Sequence, residues 1–139
     1  MITLVDSVDV PKHWREALKF LQPAFDKSPL PMSVEVVFRQ LISSEMKLIL
    51  VTHEEKLVGA SIVILENREG TKVLHVYMIG FGAGYPLKER IVDFEALEKI
   101  AVEKGCAYIT GYTEKSFVRS LESLGMEAVK VMMVKKIGE

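Results

Sequence analysis

From Lys72 to Tyr112 the chain passes from a β-rich run, KVLHVYMIGF, through the loop GAGYP into a long helical stretch, and then into a short strand, AYITGY. No other feature restricts the fold as much. A helix between consecutive strands acts as a crossover and allows them to lie parallel in one sheet. The helical stretch lies between Pro86 and Gly105, with Ile91, Phe94, Leu97, Ile100 and Ala101 on one apolar face and Gly105 as its stop. Upstream, KLILVTH and KLVGASIVIL flank a short charged turn at Glu54 and Glu55, which predicts a hairpin. ENREGT, from Glu66 to Thr71, predicts a second turn. Strands joined by both hairpins and helical crossovers imply a mixed sheet with helices on both faces, an α/β domain.

The remaining elements follow from periodicity. ITLVDS is a strand candidate at Ile2–Ser7, followed by a helix from about Pro11, where proline fits a first turn. Trp14, Ala17, Leu18, Leu21 and Phe25 form its apolar face, and Pro23 is expected to end or bend it near Gln22. Ser33 is the expected N-cap of a second helix carrying Val34, Val37, Phe38, Leu41 and Ile42 on one face. Near the end, Thr113 is placed to cap a last helix with Phe117, Val118, Leu121 and Leu124, stopped by Gly125. EAVKVMMVKKI is expected to close the chain as a strand, so the sheet should have six or seven strands. No repeat, linker or low-complexity tract divides residues 1–139, which are expected to form a single domain.

Composition excludes several classes of partner. With 18 Lys and Arg against 19 Asp and Glu, nothing steers the chain towards nucleic acid or a membrane surface. No apolar run approaches the roughly 20 residues that span a bilayer, and the amino terminus lacks the pattern of a secretory signal. The single cysteine, Cys106, excludes an intramolecular disulfide and suits a reducing compartment. It follows Gly105 at the start of an apolar run and is expected to pack as a small hydrophobe. A soluble cytoplasmic domain is the expectation. GFGAG fails as a dinucleotide fingerprint because Tyr85 stands where the third glycine belongs. His13, His53 and His75 belong to different elements and argue no metal site.

The order β, α, α, β, β, β, α, β, α, β is that of the Gcn5-related N-acetyltransferases, the GNAT superfamily. The segment TKVLHVYMIGFGAGYPLKERIVDFEALEKIAVEKGCAYITGYTEKSFVRSLESLGMEAVKVMMVKKI resembles the second half of that fold. The carboxy half is also similar to small GNAT-like proteins encoded by tailed bacteriophages. The resemblance implies a splayed sheet whose parting strands admit the pantetheine arm of acetyl-CoA, the co-substrate. It places that arm beside the backbone of Met78, Ile79 and Gly80, and the phosphates beside Gly82, Ala83 and Gly84, with Lys88 and Arg90 supplying charge. The acceptor it implies is a small-molecule or peptide amine.

Two departures stand against it. The family's loop is Arg or Gln, two residues, Gly, one residue, then Gly or Ala. Counting back from Gly105 puts Tyr85, Lys88 and Arg90 at those positions, while Gly80, Gly82 and Gly84 lie earlier, before Pro86. Either the loop is re-cut, or the glycines survive as a tight turn and the site is lost. Many members also carry a tyrosine in the last helix to protonate the departing thiolate, and Leu121 stands there instead; Tyr112 is the candidate substitute. A general base is needed too, and His75 is the residue of that strand with a suitable ordinary pKa. Alternation puts His75, Tyr77 and Ile79 on one face and Leu74, Val76 and Met78 on the other. An isolated strand histidine is more often a satisfied core or edge residue. A catalytically inactive binding or assembly protein, phage-encoded and with a protein partner, is the alternative function, and the Met- and Val-rich last segment is a candidate homodimer edge.

Overall fold

The computed structural model describes residues 1–28, 30–113, 118–129 and 133–138. Strand β1 (Ile2–Val5) leads through a short 3-10 turn into α1 (Val10–Asp26) and α2 (Val34–Ile42). Strands β2 (Lys47–His53), β3 (Lys56–Arg68) and β4 (Thr71–Phe81) follow, then α3 (Leu87–Glu103), β5 (Tyr108–Gly111) and the short α4 (Val118–Glu122). No helix among the described residues is long and apolar enough to cross a membrane.

The sheet has the order β1-β2-β3-β4-β5, antiparallel as far as β4 and parallel between β4 and β5. Mixed pairing and helices on both faces match the expectation. The strand number does not: among the described residues the sheet has five strands, where six or seven were expected. Residues 127–129 and 133–138 form no strand, and Val129, Met133 and Ile137 are exposed. Their β-rich composition describes side chains that suit a pleated, half-buried surface, and it makes no strand without such a surface. The remainder of that segment, residues 130–132, lies outside the described residues, as does Phe117.

Two cores share the sheet. On one face Ala17, Leu21 and Phe25 of α1 and Val37 and Leu41 of α2 pack on Leu48, Leu50, Ala60, Ile62 and Met78. On the other, Leu97 and Ala101 of α3 cover Ile49, Val63 and Leu74, with Cys106 partly buried beside them. Ser33 caps α2 as expected, its Oγ accepting from the Val36 N–H at 3.3 Å. Helix α1, by contrast, continues through Pro23 to Asp26. The proline sits in the last turn, where it removes one hydrogen bond, and burial of Phe25 holds that turn against the sheet.

Two details of β4 position the site. The register against β3 steps from Val63–Val76 to Ile62–Met78, so Tyr77 is the extra residue of a bulge. The bulge turns the faces over: Leu74 and Val76 pack in the α3 core, whereas Met78 packs in the α1 and α2 core. The single unbroken alternation expected from His75 to Ile79 is therefore corrected. The second detail concerns β5, which pairs with β4 only from Val73–Tyr108 to Val76–Gly111. β5 ends there, so beyond Val76 β4 runs on to Phe81 with no strand on that side among the described residues.

Candidate functional site

Next to the end of the paired stretch, β4 and β5 present His75 and Thr110 side by side, as their register requires. His75 is 6% exposed, and its Nδ1 shares a 2.8 Å hydrogen bond with Thr110 Oγ1. Its ring stands edge-on to Tyr112, with centroids 5.4 Å apart. Removal from water holds the His75 pKa below the ordinary histidine value; Glu66 favours the charged form and Arg68 opposes it, both as smaller effects. Nε2 has no hydrogen-bond partner among the described residues, and none of their fully buried side-chain nitrogens or oxygens lacks one. Tyr112 lies just past the end of β5 and is largely exposed.

Along the unpaired run, the Met78 side chain is buried and its carbonyl accepts from Ser61 Oγ at 2.8 Å, while Ile79 is 49% exposed. Gly80 has a packing reason to be glycine: a Cβ there would collide with the Phe20 carbonyl oxygen of α1. Gly82 prolongs the β3–β4 pairing, its N–H donating to the Val58 carbonyl at 2.7 Å. Gly84 has φ +82°, a left-handed turn that favours glycine. Ala83 and Gly84 are exposed at the tip, and Lys88 is exposed in the first turn of α3. The Leu87 and Lys88 amides belong to the helix end that has no intrahelical acceptor.

Arg90 turns back onto the loop. Its guanidinium lies 4.7 Å from the Phe81 ring centroid and its Nε donates to the Tyr85 carbonyl at 3.2 Å. Tyr85 is buried, stacked on Phe81 with centroids 5.4 Å apart and edge-on to His53 at 6.1 Å. Its hydroxyl donates to Asp93 Oδ2, and burial followed by the Asp93 carboxylate pushes its pKa far up. Asp93 is itself buried, and its Oδ1 is 3.3 Å from the Met1 nitrogen. A shallow cup of about 260 Å³ lies beside the loop, lined by Phe20, His53, Leu57, Gly82, Ala83 and Tyr85. It sits at the far end of β4 from His75, so the cavity and the titratable pair do not coincide; unpaired backbone and side-chain chemistry define the site better than concavity does.

The structure thus brings His75 and Tyr112 together beside the middle of β4 and gathers Gly80, Gly82, Ala83, Gly84, Lys88 and Arg90 at and beyond its carboxy end. Sequence reasoning missed Thr110, Tyr85 as a loop anchor, and Asp93. The signal for Asp93 was present: it precedes Leu97 by four residues and Ala101 by eight, an acid on the apolar face of α3. Among the described residues no cluster of His, Cys, Asp and Glu is placed to hold a metal ion.

No family model matches the sequence, and no curated protein matches it. Solved structures do. An aminoglycoside acetyltransferase from an uncultured soil metagenomic sample, in complex with sisomicin, superposes with a TM-score of 0.74 at 14% identity, covering 99% of this chain and 96% of that one. Glucosamine-6-phosphate N-acetyltransferase from Arabidopsis thaliana gives 0.69 at 17% identity over 99% of this chain and 98% of that one. Ribosomal-protein-alanine N-acetyltransferase from Brucella melitensis biovar Abortus gives 0.68 at 16% identity over 100% and 98%. At these identities the likeness is one of fold: the chain has the fold of these N-acetyltransferases along its whole length.

Proposed function

We propose that this protein is an acyl-CoA-dependent N-acyltransferase that acetylates a small-molecule or peptide amine. The observation that supports the proposal is the stretch of β4 that extends past the end of β5 at Gly111, with His75 and Tyr112 beside its start and the glycine loop at its far end. From His75 to Gly80 is roughly 16 Å of extended strand, a span suited to an extended pantetheine arm. Along it the backbone of Met78, Ile79 and Gly80 has no strand neighbour on the β5 side among the described residues.

Acetyl-CoA supplies an activated acyl carbon and a thiolate leaving group. An ammonium must lose a proton before it can attack such a carbon, and His75 is suited to accept it. In the tautomer whose Nδ1–H donates to Thr110 Oγ1, Nε2 keeps its lone pair, and the lowered pKa favours the neutral ring. Tyr112 holds a proton within reach of the same place and replaces the donor that Leu121 cannot supply. At the other end, the amides of Ala83 and Gly84, the first turn of α3 and the Lys88 ammonium favour a diphosphate. Arg90 already binds a carbonyl and an aromatic face, so its contribution there is smaller.

A second reading is favoured by a separate observation. Gly80 and Gly84 each have a reason to be glycine that involves no ligand. A GNAT-fold protein without catalysis, serving as a binding or assembly module, is consistent with that.

Titration of acetyl-CoA by calorimetry decides between them. Micromolar binding is expected, and no heat at millimolar ligand would favour the non-catalytic module. If binding is found, His75→Gln should lower acetyl transfer to a responsive amine by about 10²- to 10⁴-fold while the acetyl-CoA affinity stays within a few-fold.

A further inference from the structure

The β4–α3 loop has a tether that the acyltransferase reading does not use. Between Phe81 and Leu87 its backbone bonds are few: Gly82 N–H to the Val58 carbonyl, Tyr85 N–H to the Gly82 carbonyl at 3.3 Å, and the Pro86 carbonyl accepting from the Glu89 and Arg90 amides of α3. Two glycines and an alanine without further restraint would sample many conformations, and ordering them around a ligand would cost affinity. Tyr85 supplies the restraint. Its ring is stacked on Phe81, where β4 ends, and its hydroxyl is bound to Asp93 on the second turn of α3. Its carbonyl is held by Arg90, whose guanidinium covers the other partner of the stack.

The chemistry of the pair is more demanding than packing needs. A phenylalanine would fill the same space against Phe81 and His53. A carboxylate on the apolar face of α3 loses hydration that only good partners can replace. With Oδ1 of Asp93 paired to the Met1 ammonium and Oδ2 accepting from the Tyr85 hydroxyl, the aspartate is satisfied and joins the loop to the helix at one defined distance. Ala83 and Gly84, at the tip, are the residues whose amides that distance positions.

We infer that Tyr85 and Asp93 are positioning residues, which hold the amides of Ala83, Gly84 and the first turn of α3 in place for the diphosphate of an acyl-CoA. The inference rests on the acyltransferase reading and adds to it the residues that replace the family's loop wording.

The test compares two ligands on three proteins. Coenzyme A carries the diphosphate; pantetheine carries the same thiol arm without it. Calorimetry and thermal unfolding are measured on the wild type, on Tyr85→Phe, and on the double variant Tyr85→Phe/Asp93→Leu. The double variant replaces the polar pair with apolar groups, so it keeps the fold if the single variant does not. In the folded variants, coenzyme A affinity is expected to fall about ten-fold, the order of one positioned hydrogen bond, with pantetheine affinity within two-fold of wild type. Equal losses for both ligands would make the pair a general structural element and overturn the inference, as would unchanged coenzyme A binding. A wild type that binds no coenzyme A would overturn the acyltransferase reading with it, an outcome distinct from either.

Discussion

A histidine buried in a sheet gains stability only while it stays uncharged, and His75 is such a residue. Its folded pKa lies below the unfolded value of about 6.5, because burial penalises the imidazolium more than Glu66 supports it. The unfolded chain therefore binds the proton more readily, and stability rises with pH between the two pKa values. The contribution is complete above about pH 6.5 and is lost as pH falls through the folded pKa. Denaturant midpoints measured between about pH 5 and 7.5 should fall on acidification, and His75→Gln should remove part of that slope. An identical slope in the variant would show that His75 is not protonated differently in the two states. At this level the sequence was partly legible. His75 was recognisable from its ordinary pKa and its strand, and Tyr112 from its place at a strand end. Thr110, which fixes the imidazole, was not: the pairing that puts it opposite His75 is a matter of register between segments 35 residues apart.

Turns are where the local sequence and the element disagree most. The β2–β3 hairpin closes through Glu54 and Glu55, with φ of +51° and +66°, a two-residue turn of the kind that favours Asn-Gly. Neither glutamate prefers that backbone, and each costs on the order of 1 kcal/mol. Glu54→Asn with Glu55→Gly should therefore stabilise the protein by about 1–2 kcal/mol, seen as a raised denaturant midpoint at constant slope. A lowered midpoint would mean that the glutamates make compensating interactions. The hairpin was legible because β-rich runs flank a short polar gap; its turn type was not, since the residues contradict it. The bulge at Tyr77 was likewise invisible. Period-two alternation continues smoothly across it, and only competition between the two cores for side chains reveals the extra residue. Pro23 taught the opposite lesson, since tertiary burial of Phe25 outweighed a local breaker.

For the whole molecule, one sheet with a core on each face predicts a single cooperative unit. Leu21→Ala in the α1 and α2 core and Leu97→Ala in the α3 core should each cost about 2–5 kcal/mol. Each should lower one shared thermal transition. Separate transitions for the two variants would show that the faces unfold independently. The α/β class, the mixed sheet and the helices on both faces came from hydrophobic period and from the succession of strand, loop, helix and strand. Those features are local, because a side chain's burial preference repeats with the geometry of its own element. The proposed catalytic pair was half visible in the same way. What the chain's order of residues left open was where the β4–β5 pairing stops, how many strands the sheet holds among the described residues, and what keeps the glycine loop in place. Each depends on contacts between distant segments: the register of β4 on β5, the absence of a partner for residues 127–129 and 133–138, and the reach of Tyr85 to Asp93. Such contacts exist only after the sheet has formed, so the folded structure alone sets them.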